Sequence, residues 1–229
     1  MAYLEFPAPP SPMLPIADSD GLFPVRRIFC VGRNYAEHAR EMGHDPDKAP
    51  PFFFTKPADT VVLSGQTIPF PPMTENLHYE AELVVAIGKD GVDIPLEEAE
   101  SHIWGYATGN DLTRRDLQAE AKEGRRPWDM AKGFDNSAVI GLLHPASQTG
   151  PMTSGRICLD VDGETKQDAD LSEMIWPTND VIAYLSKFVA LKQGDLIMTG
   201  TPAGVGPLVR GQTCTVEIDG LSPATVTLE

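Results

Sequence analysis

The sequence predicts an α+β fold, mainly β, with a few short helices. Three observations point there. Short runs rich in β-branched and aromatic residues recur from Val25 to the C-terminal end, each closed by glycine, proline or Asp-Gly. The run Leu83-Val84-Val85-Ala86-Ile87, ended by Gly88, is apolar throughout, as in a strand buried on both faces. The clearest helical stripe, Val181, Ile182, Leu185, Phe188 and Val189, is short and reads as core packing behind a Thr178 cap.

A chain of 229 residues makes one large domain or two small ones, with room for a sizeable core. The net charge of −15 argues against nucleic acid and anionic membrane surfaces as partners. It leaves an anionic substrate open, because an ion and a few basic residues can invert the field locally. No run approaches the ~18–20 apolar residues of a membrane span. The proline-rich, acidic start lacks a basic and then apolar secretory pattern, and Cys30, Cys158 and Cys214 show no CxxC spacing. Reduced thiols in a cytoplasmic protein are expected.

Residues 1–24 carry six prolines from Pro7 to Pro24 and suit an extended arm, lying on its own body or on a second subunit. Residues 25–229 form the expected catalytic domain. Val25–Val31 reads as a strand closed by Gly32. Asn34 is a good helix N-cap, Glu37 completes a capping-box pattern and Gly43 is a plausible stop. On that short helix His38 and Glu41 are neighbours; either they are a solvated pair on a surface helix, or the carboxylate orients the imidazole as a general base needs. Asp45-Pro46-Asp47 makes a loop, and Phe52–Lys56 and Thr60–Leu63 are short strands around Pro57.

In Leu77–Gly88, Glu80 and Glu82 project to one side of a strand about 6.5–7 Å apart. Repulsion and desolvation penalise both, so either the strand end is open to water or a cation sits between them. A hard divalent ion is the natural candidate. Pro95–His102 reads as a short helix and Ile103–Leu112 as a strand ending in Asp111, a third carboxylate. Thr113–Glu123 reads as a helix with Thr113 as N-cap, Asp116 at its third position, Gly124 as its stop, and Arg115 and Gln118 on one face. The following loop, with Arg125, Arg126 and Lys132, gathers positive charge in an acidic chain.

Strands and tight turns fill the last third, with Asp162-Gly163 and Asp219-Gly220 as hairpin signals. Thr199-Gly200-Thr201-Pro202-Ala203-Gly204-Val205-Gly206 reads either as a turn between strands or as an anion-cradling backbone nest, which it resembles. It lacks the Gly-Lys-Ser/Thr ending of a nucleotide loop, which excludes ATP and GTP.

Taken together, GRNYAEHAREMG (Gly32–Gly43), FFFTKP (Phe52–Pro57), HYEAEL (His78–Leu83), GNDLTRRDLQ (Gly109–Gln118), AKGFD (Ala131–Asp135) and TGTPAGVG (Thr199–Gly206) resemble the fumarylacetoacetate hydrolase family. The likeness is strongest to its short acylpyruvate hydrolases, the fumarylpyruvate-cleaving type above all. It implies a mixed β-sheet roll, usually dimeric. It places Glu80, Glu82 and Asp111 on the metal ligands, His38 and Glu41 on a catalytic dyad of a lid helix, and Lys132 in charge stabilisation or proton return. Arg115, Gln118 and Thr201 fall on substrate-contacting positions. An acidic residue that longer members carry before the lid histidine has no counterpart, Val31 occupying that region.

The implied activity is Mg²⁺-dependent (or Mn²⁺-dependent, with Ca²⁺ as a substitute in crystals) hydrolysis of fumarylpyruvate to fumarate and pyruvate, as in gentisate breakdown. The alternatives are oxaloacetate decarboxylation, isomerase or decarboxylase chemistry on 2-hydroxyhepta-2,4-diene-1,7-dioate, and a non-catalytic binding protein.

Overall fold

The structure, a computed structural model, describes residues 5–7, 10–41 and 50–229, and for Ala39 and Glu41 only the backbone. The expected stop at Gly43 and loop at 45–47 lie outside the described residues, as does the side chain of Glu41.

Strands dominate, and they curl into a mixed roll. The largest sheet runs Phe52–Lys56, Arg27–Gly32, Asp195–Met198, Ala81–Ile87, Ile103–Asp111, Ala138–Ile140, Val61–Leu63, with His144–Pro145 beside Ile103–Asp111. A second sheet orders Glu164–Asp170, Arg156–Val161, Thr213–Ile218, Ala224–Leu228 and Gln66–Ile68. Ala81–Ile87 is buried at every position, as the apolar run Leu83–Ile87 within it predicts, and Glu82 is buried with it. Leu83, Val85 and Ile87 enter the core shared with the second sheet, where Leu159, Val216 and Val226 meet them. Val84 and Ala86 face the other way, among Ile28, Cys30, Ala107, Leu196 and Met198.

Within the proline-rich start, residues 13–24 fold back as a hairpin, Met13 opposite Pro24, rather than running extended throughout. The turn is local chemistry: Asp18 takes a positive φ of 54°, and the Gly21 N–H donates to Ser19 Oγ at 2.9 Å. Leu14 and Phe23 then bury against the outer face of the main sheet.

Three expected helix starts are corrected. The first helix spans Ala36–Glu41, and Asn34 does not cap it. Its amide donates to the carbonyls of Trp176 (2.9 Å) and Thr199 (2.8 Å) and accepts from the Trp176 N–H (2.7 Å). Thr113 belongs to a two-residue strand paired with His78, and its hydroxyl donates to the Asp111 carbonyl. The helix begins at Arg115, while Asp116 accepts from Thr74 Oγ1, Glu75 N–H and Leu117 N–H. Thr178 is the first residue of its helix, Thr178–Leu185, behind Pro177, and offers no cap. That helix ends before Phe188, which is exposed, whereas Val189 still packs on the core. Pro95–His102 is realised as a 3-10 helix over Leu96–His102.

Asn34 ties three chain segments together at a fully buried position. Asn34→Ala leaves Trp176 and Thr199 groups without partners, an expected loss of about 2–4 kcal/mol. Urea denaturation measures it, and a loss below about 1 kcal/mol would contradict the tie.

Candidate active site

Strand register assembles the acidic centre. Ala81–Ile87 pairs antiparallel with Ile103–Asp111, so Val84 faces Ala107, Glu82 faces Gly109 and, at the strand end, the Asp111 N–H donates to the Glu80 carbonyl at 2.9 Å. Opposed residues share a face, and Glu80, Glu82 and Asp111 therefore converge. Gly109 is required there: a Cβ would lie 2.5 Å from Val84 Cγ2.

The sequence segment Leu77–Gly88 is not one strand. Leu77–Tyr79 joins a small separate sheet and the ladder breaks at Glu80. Side chains replace it: Glu80 N–H donates to Asn110 Oδ1 (2.9 Å) and Ala81 N–H to Gln167 Oε1 (3.0 Å).

All three carboxylates are buried, and one oxygen from each lies within 4.8 Å of the others. Lys132 Nζ bridges two of them, 2.7 Å from Glu80 Oε2 and 2.7 Å from Asp111 Oδ2. Lys132 is on a short helix, Asp129–Lys132, not in the expected loop. On the far side of Asp111, the fully buried Lys56 Nζ lies 2.7 Å from Oδ1, a charge contact, while its N–H groups reach the carbonyls of Leu112 and Lys132. Arg115 pairs with Glu80 Oε1 and donates to Gln118 Oε1 at 2.7 Å.

Glu82 has a different environment. Its Oε2 accepts the Gly200 N–H at 2.8 Å, from the glycine-rich segment read as an anion nest. Burial, then the charges of Asp111 and Glu80, push its carboxyl well above the usual range. Burial works the same way on Glu80, but Lys132, Arg115 and His38 outweigh it and hold that carboxyl low. Burial lowers Lys132, and Asp111 and Glu80 reverse this, leaving its ammonium above the ordinary lysine value.

A cleft above this centre is lined by Val31, Gly32, Arg33, His38, Phe54, Glu80, Glu82, Arg115, Gln118, Lys122, Trp128, Lys132 and Thr201. It encloses about 30 Å³ and shares Phe54, Trp128 and Lys132 with a wider groove of about 440 Å³. Seven of the expected site residues, His38, Glu80, Glu82, Arg115, Gln118, Lys132 and Thr201, therefore meet at one place, and Asp111 lies directly beneath Lys132. Thr201 Oγ1 accepts from Gln167 Nε2 (2.9 Å), which leaves its O–H proton for a ligand oxygen. With Gln118 Oε1 accepting from Arg115, the Gln118 amide N–H groups are likewise directed elsewhere.

The donor set fits a hard divalent cation: three carboxylates, no thiolate and no imidazole among the grouped ligand atoms. Sequence reasoning missed Lys56, Asn110 and Gln167, which hold the site from behind, and Arg33 and Lys122 at its edge. The FFFTKP motif contains Lys56, but nothing local says that a lysine before proline is wholly buried.

Residues 27–229 match the family described as fumarylacetoacetate (FAA) hydrolase C-terminal. A fumarylpyruvate hydrolase of Ralstonia sp is 42% identical over 189 residues, covering 82% of this chain and 98% of that protein. A mitochondrial oxaloacetate tautomerase of Arabidopsis thaliana is 41% identical over 203 residues, 89% and 91% of the two chains. The crystal structure of fumarylpyruvate hydrolase from Pseudomonas aeruginosa in complex with Mn²⁺ and pyruvate superposes with a TM-score of 0.97 at 52% identity, covering 99% of each chain.

Glu82→Gln tests the electrostatics. A carboxyl whose folded pKa is raised stabilises fully at low pH, and that contribution is lost as pH rises through the folded value. In chelator, wild-type stability should therefore fall as pH climbs from 4.5, and Glu82→Gln should remove this decline. The same variant should weaken Mn²⁺ binding by about 100-fold or more, since even partners behind metal ligands carry about 10- to 100-fold. Identical pH slopes and unchanged affinity would contradict the assignment.

Proposed function

The chain belongs to the fumarylacetoacetate hydrolase family, and on that premise we propose that it hydrolyses fumarylpyruvate to fumarate and pyruvate. The observation that carries the reading is the convergence of a three-carboxylate centre, a buried histidine and four donors for an anionic ligand on one cleft. Glu80, Glu82 and Asp111 hold a divalent ion, Mg²⁺ in the cell with Mn²⁺ as substitute. When bound, the ion supplies Lewis acidity toward a 2-oxo acid.

The chain's own groups do the rest. Arg115, Gln118 and Thr201 orient the 2-oxo-acid end, Arg115 by the fork geometry that suits carboxylates. His38, buried in the cleft wall, takes a proton from water, oriented by Glu41 on the next turn of its helix. The water oxygen adds to the C4 carbonyl of fumarylpyruvate. Collapse of the tetrahedral intermediate breaks the C3–C4 bond, sends fumarate away and leaves the electron pair on the pyruvate enolate. Lys132 stabilises the developing negative charge from within the acidic cluster or returns a proton to C3, in which case the proton that His38 took from water replaces the one Lys132 gives up.

Oxaloacetate chemistry is the second reading, favoured by the Arabidopsis thaliana tautomerase, because the same cleft would hold its 2-oxo-acid end. The reading also carries a homodimer and a cytoplasmic location. Three buried free thiols agree with the latter.

Purified protein is to be assayed with fumarylpyruvate, acetylpyruvate and oxaloacetate, in Mg²⁺ and after chelation. Cleavage of fumarylpyruvate, lost in chelator and restored by Mg²⁺, is expected; turnover of oxaloacetate alone would transfer the assignment to the second reading. His38→Ala should lower kcat by about 10²- to 10⁴-fold with Mn²⁺ affinity kept. Retained hydrolysis would remove the base.

A further inference from the structure

Two cations at the edge of the cleft have no part in the chemistry above. Arg33 and Lys122 both line it, yet among the described residues neither pairs with a carboxylate. Each is held instead on an aromatic ring. The Arg33 guanidinium lies over Phe52, 4.9 Å from its centroid, and Lys122 Nζ lies 5.2 Å from that of Trp128. Phe52 and Trp128 meet edge to face at 5.3 Å, so one aromatic pair carries both cations.

The arrangement is built into the backbone. Gly32 makes room for the Phe52 ring, since a Cβ there would lie 2.1 Å from its Cζ. Arg33 adopts a positive φ of 62°, a conformation that costs a non-glycine residue free energy. Burial, then Arg115 and Arg33, pull Lys122 down to about 8, and burial lowers Arg33 too. Two like charges are thus held at the cleft mouth without a carboxylate partner among the described residues. Positive charge placed that way attracts an anion. Lys122 is exposed and Arg33 half-buried, whereas Glu82 and Lys132 lie deep. The anion they take is accordingly at the outer end of a ligand whose inner end reaches the acidic centre.

We propose that Arg33 and Lys122, braced on Phe52 and Trp128, form a subsite for the carboxylate at the far end of a dicarboxylic acylpyruvate. The inference rests on the hydrolase reading for the orientation of the substrate. It makes the pair the source of preference for an acyl arm that ends in a carboxylate over one that ends in a methyl group.

Steady-state kinetics of wild type, Lys122→Met and Arg33→Met with fumarylpyruvate and acetylpyruvate, in saturating Mg²⁺, reads the pair directly. Each variant should lower the ratio of kcat/KM for fumarylpyruvate to that for acetylpyruvate by roughly ten- to hundredfold, the loss of one charge-assisted contact. The loss should fall mainly in KM, and Lys122→Arg should restore much of the ratio. Equal losses on both substrates, or an unchanged ratio in both variants, would overturn the subsite. Calorimetry with the product gives a readout without turnover. Wild type should bind fumarate more tightly than crotonate, which lacks the far carboxylate, and Lys122→Met should erase the difference. No preference for fumarate in wild type would also overturn the proposal, whereas preference without cleavage of either acylpyruvate would keep the subsite and sink the hydrolase reading.

Discussion

Everything in this site depends on the Lys132 ammonium lying between Glu80 and Asp111. Three carboxylates removed from water repel one another, and each pays for desolvation. Lys132 neutralises two at once, Lys56 compensates Asp111 from behind and Arg115 compensates Glu80 from the side. Among the described residues Glu82 accepts a backbone N–H from Gly200 and forms no ion pair, and its carboxyl is the one driven upward. The cluster is thus balanced except at one carboxylate. A divalent ion bound there would supply the missing positive charge, and the surplus it brought would suit an anionic ligand.

The roll supports that balance by geometry. Antiparallel register brings Glu80 opposite Asp111 at the very point where the main sheet stops. Where the ladder breaks, Asn110 and Gln167 take over the orphaned N–H groups of Glu80 and Ala81. Gln167 also reaches Thr201 and the Pro202 carbonyl, so one buried amide couples the acidic strand to the glycine-rich segment. Asn34 does the same between the start of the His38 helix and Thr199. Buried amides that join distant segments make such a site rigid, at the cost of tolerating few substitutions.

Local pattern was a good guide where side-chain period alone decides geometry. Glu80 and Glu82 share a face because strands alternate, and Arg115 reaches Gln118 because three helical residues make nearly a turn. Asp162-Gly163 gives its hairpin, with φ of 52° and 82°, because few other residues accept that turn. The pattern misled at Asn34, whose side chain found tertiary partners in Trp176 and Thr199, and at Thr113, whose backbone pairs with distant His78 while its hydroxyl turns to the nearby Asp111 carbonyl. Lys56 was illegible for the same reason. Its buried position follows from Asp111, Leu112 and Lys132, which are distant along the chain. The assembly of Glu80, Glu82 and Asp111 into one centre came from motif resemblance, since spacing in a sequence carries no information about which strands pair.

Anomalous scattering at the manganese edge, from crystals grown with Mn²⁺ and oxalate as a 2-oxo-acid mimic, tests the central claim most directly. One strong peak per chain is predicted, within about 2.0–2.6 Å of oxygens from Glu80, Glu82 and Asp111. A peak elsewhere, with Lys132 still the cation holding Glu80 and Asp111 and no ion at Glu82, would contradict it.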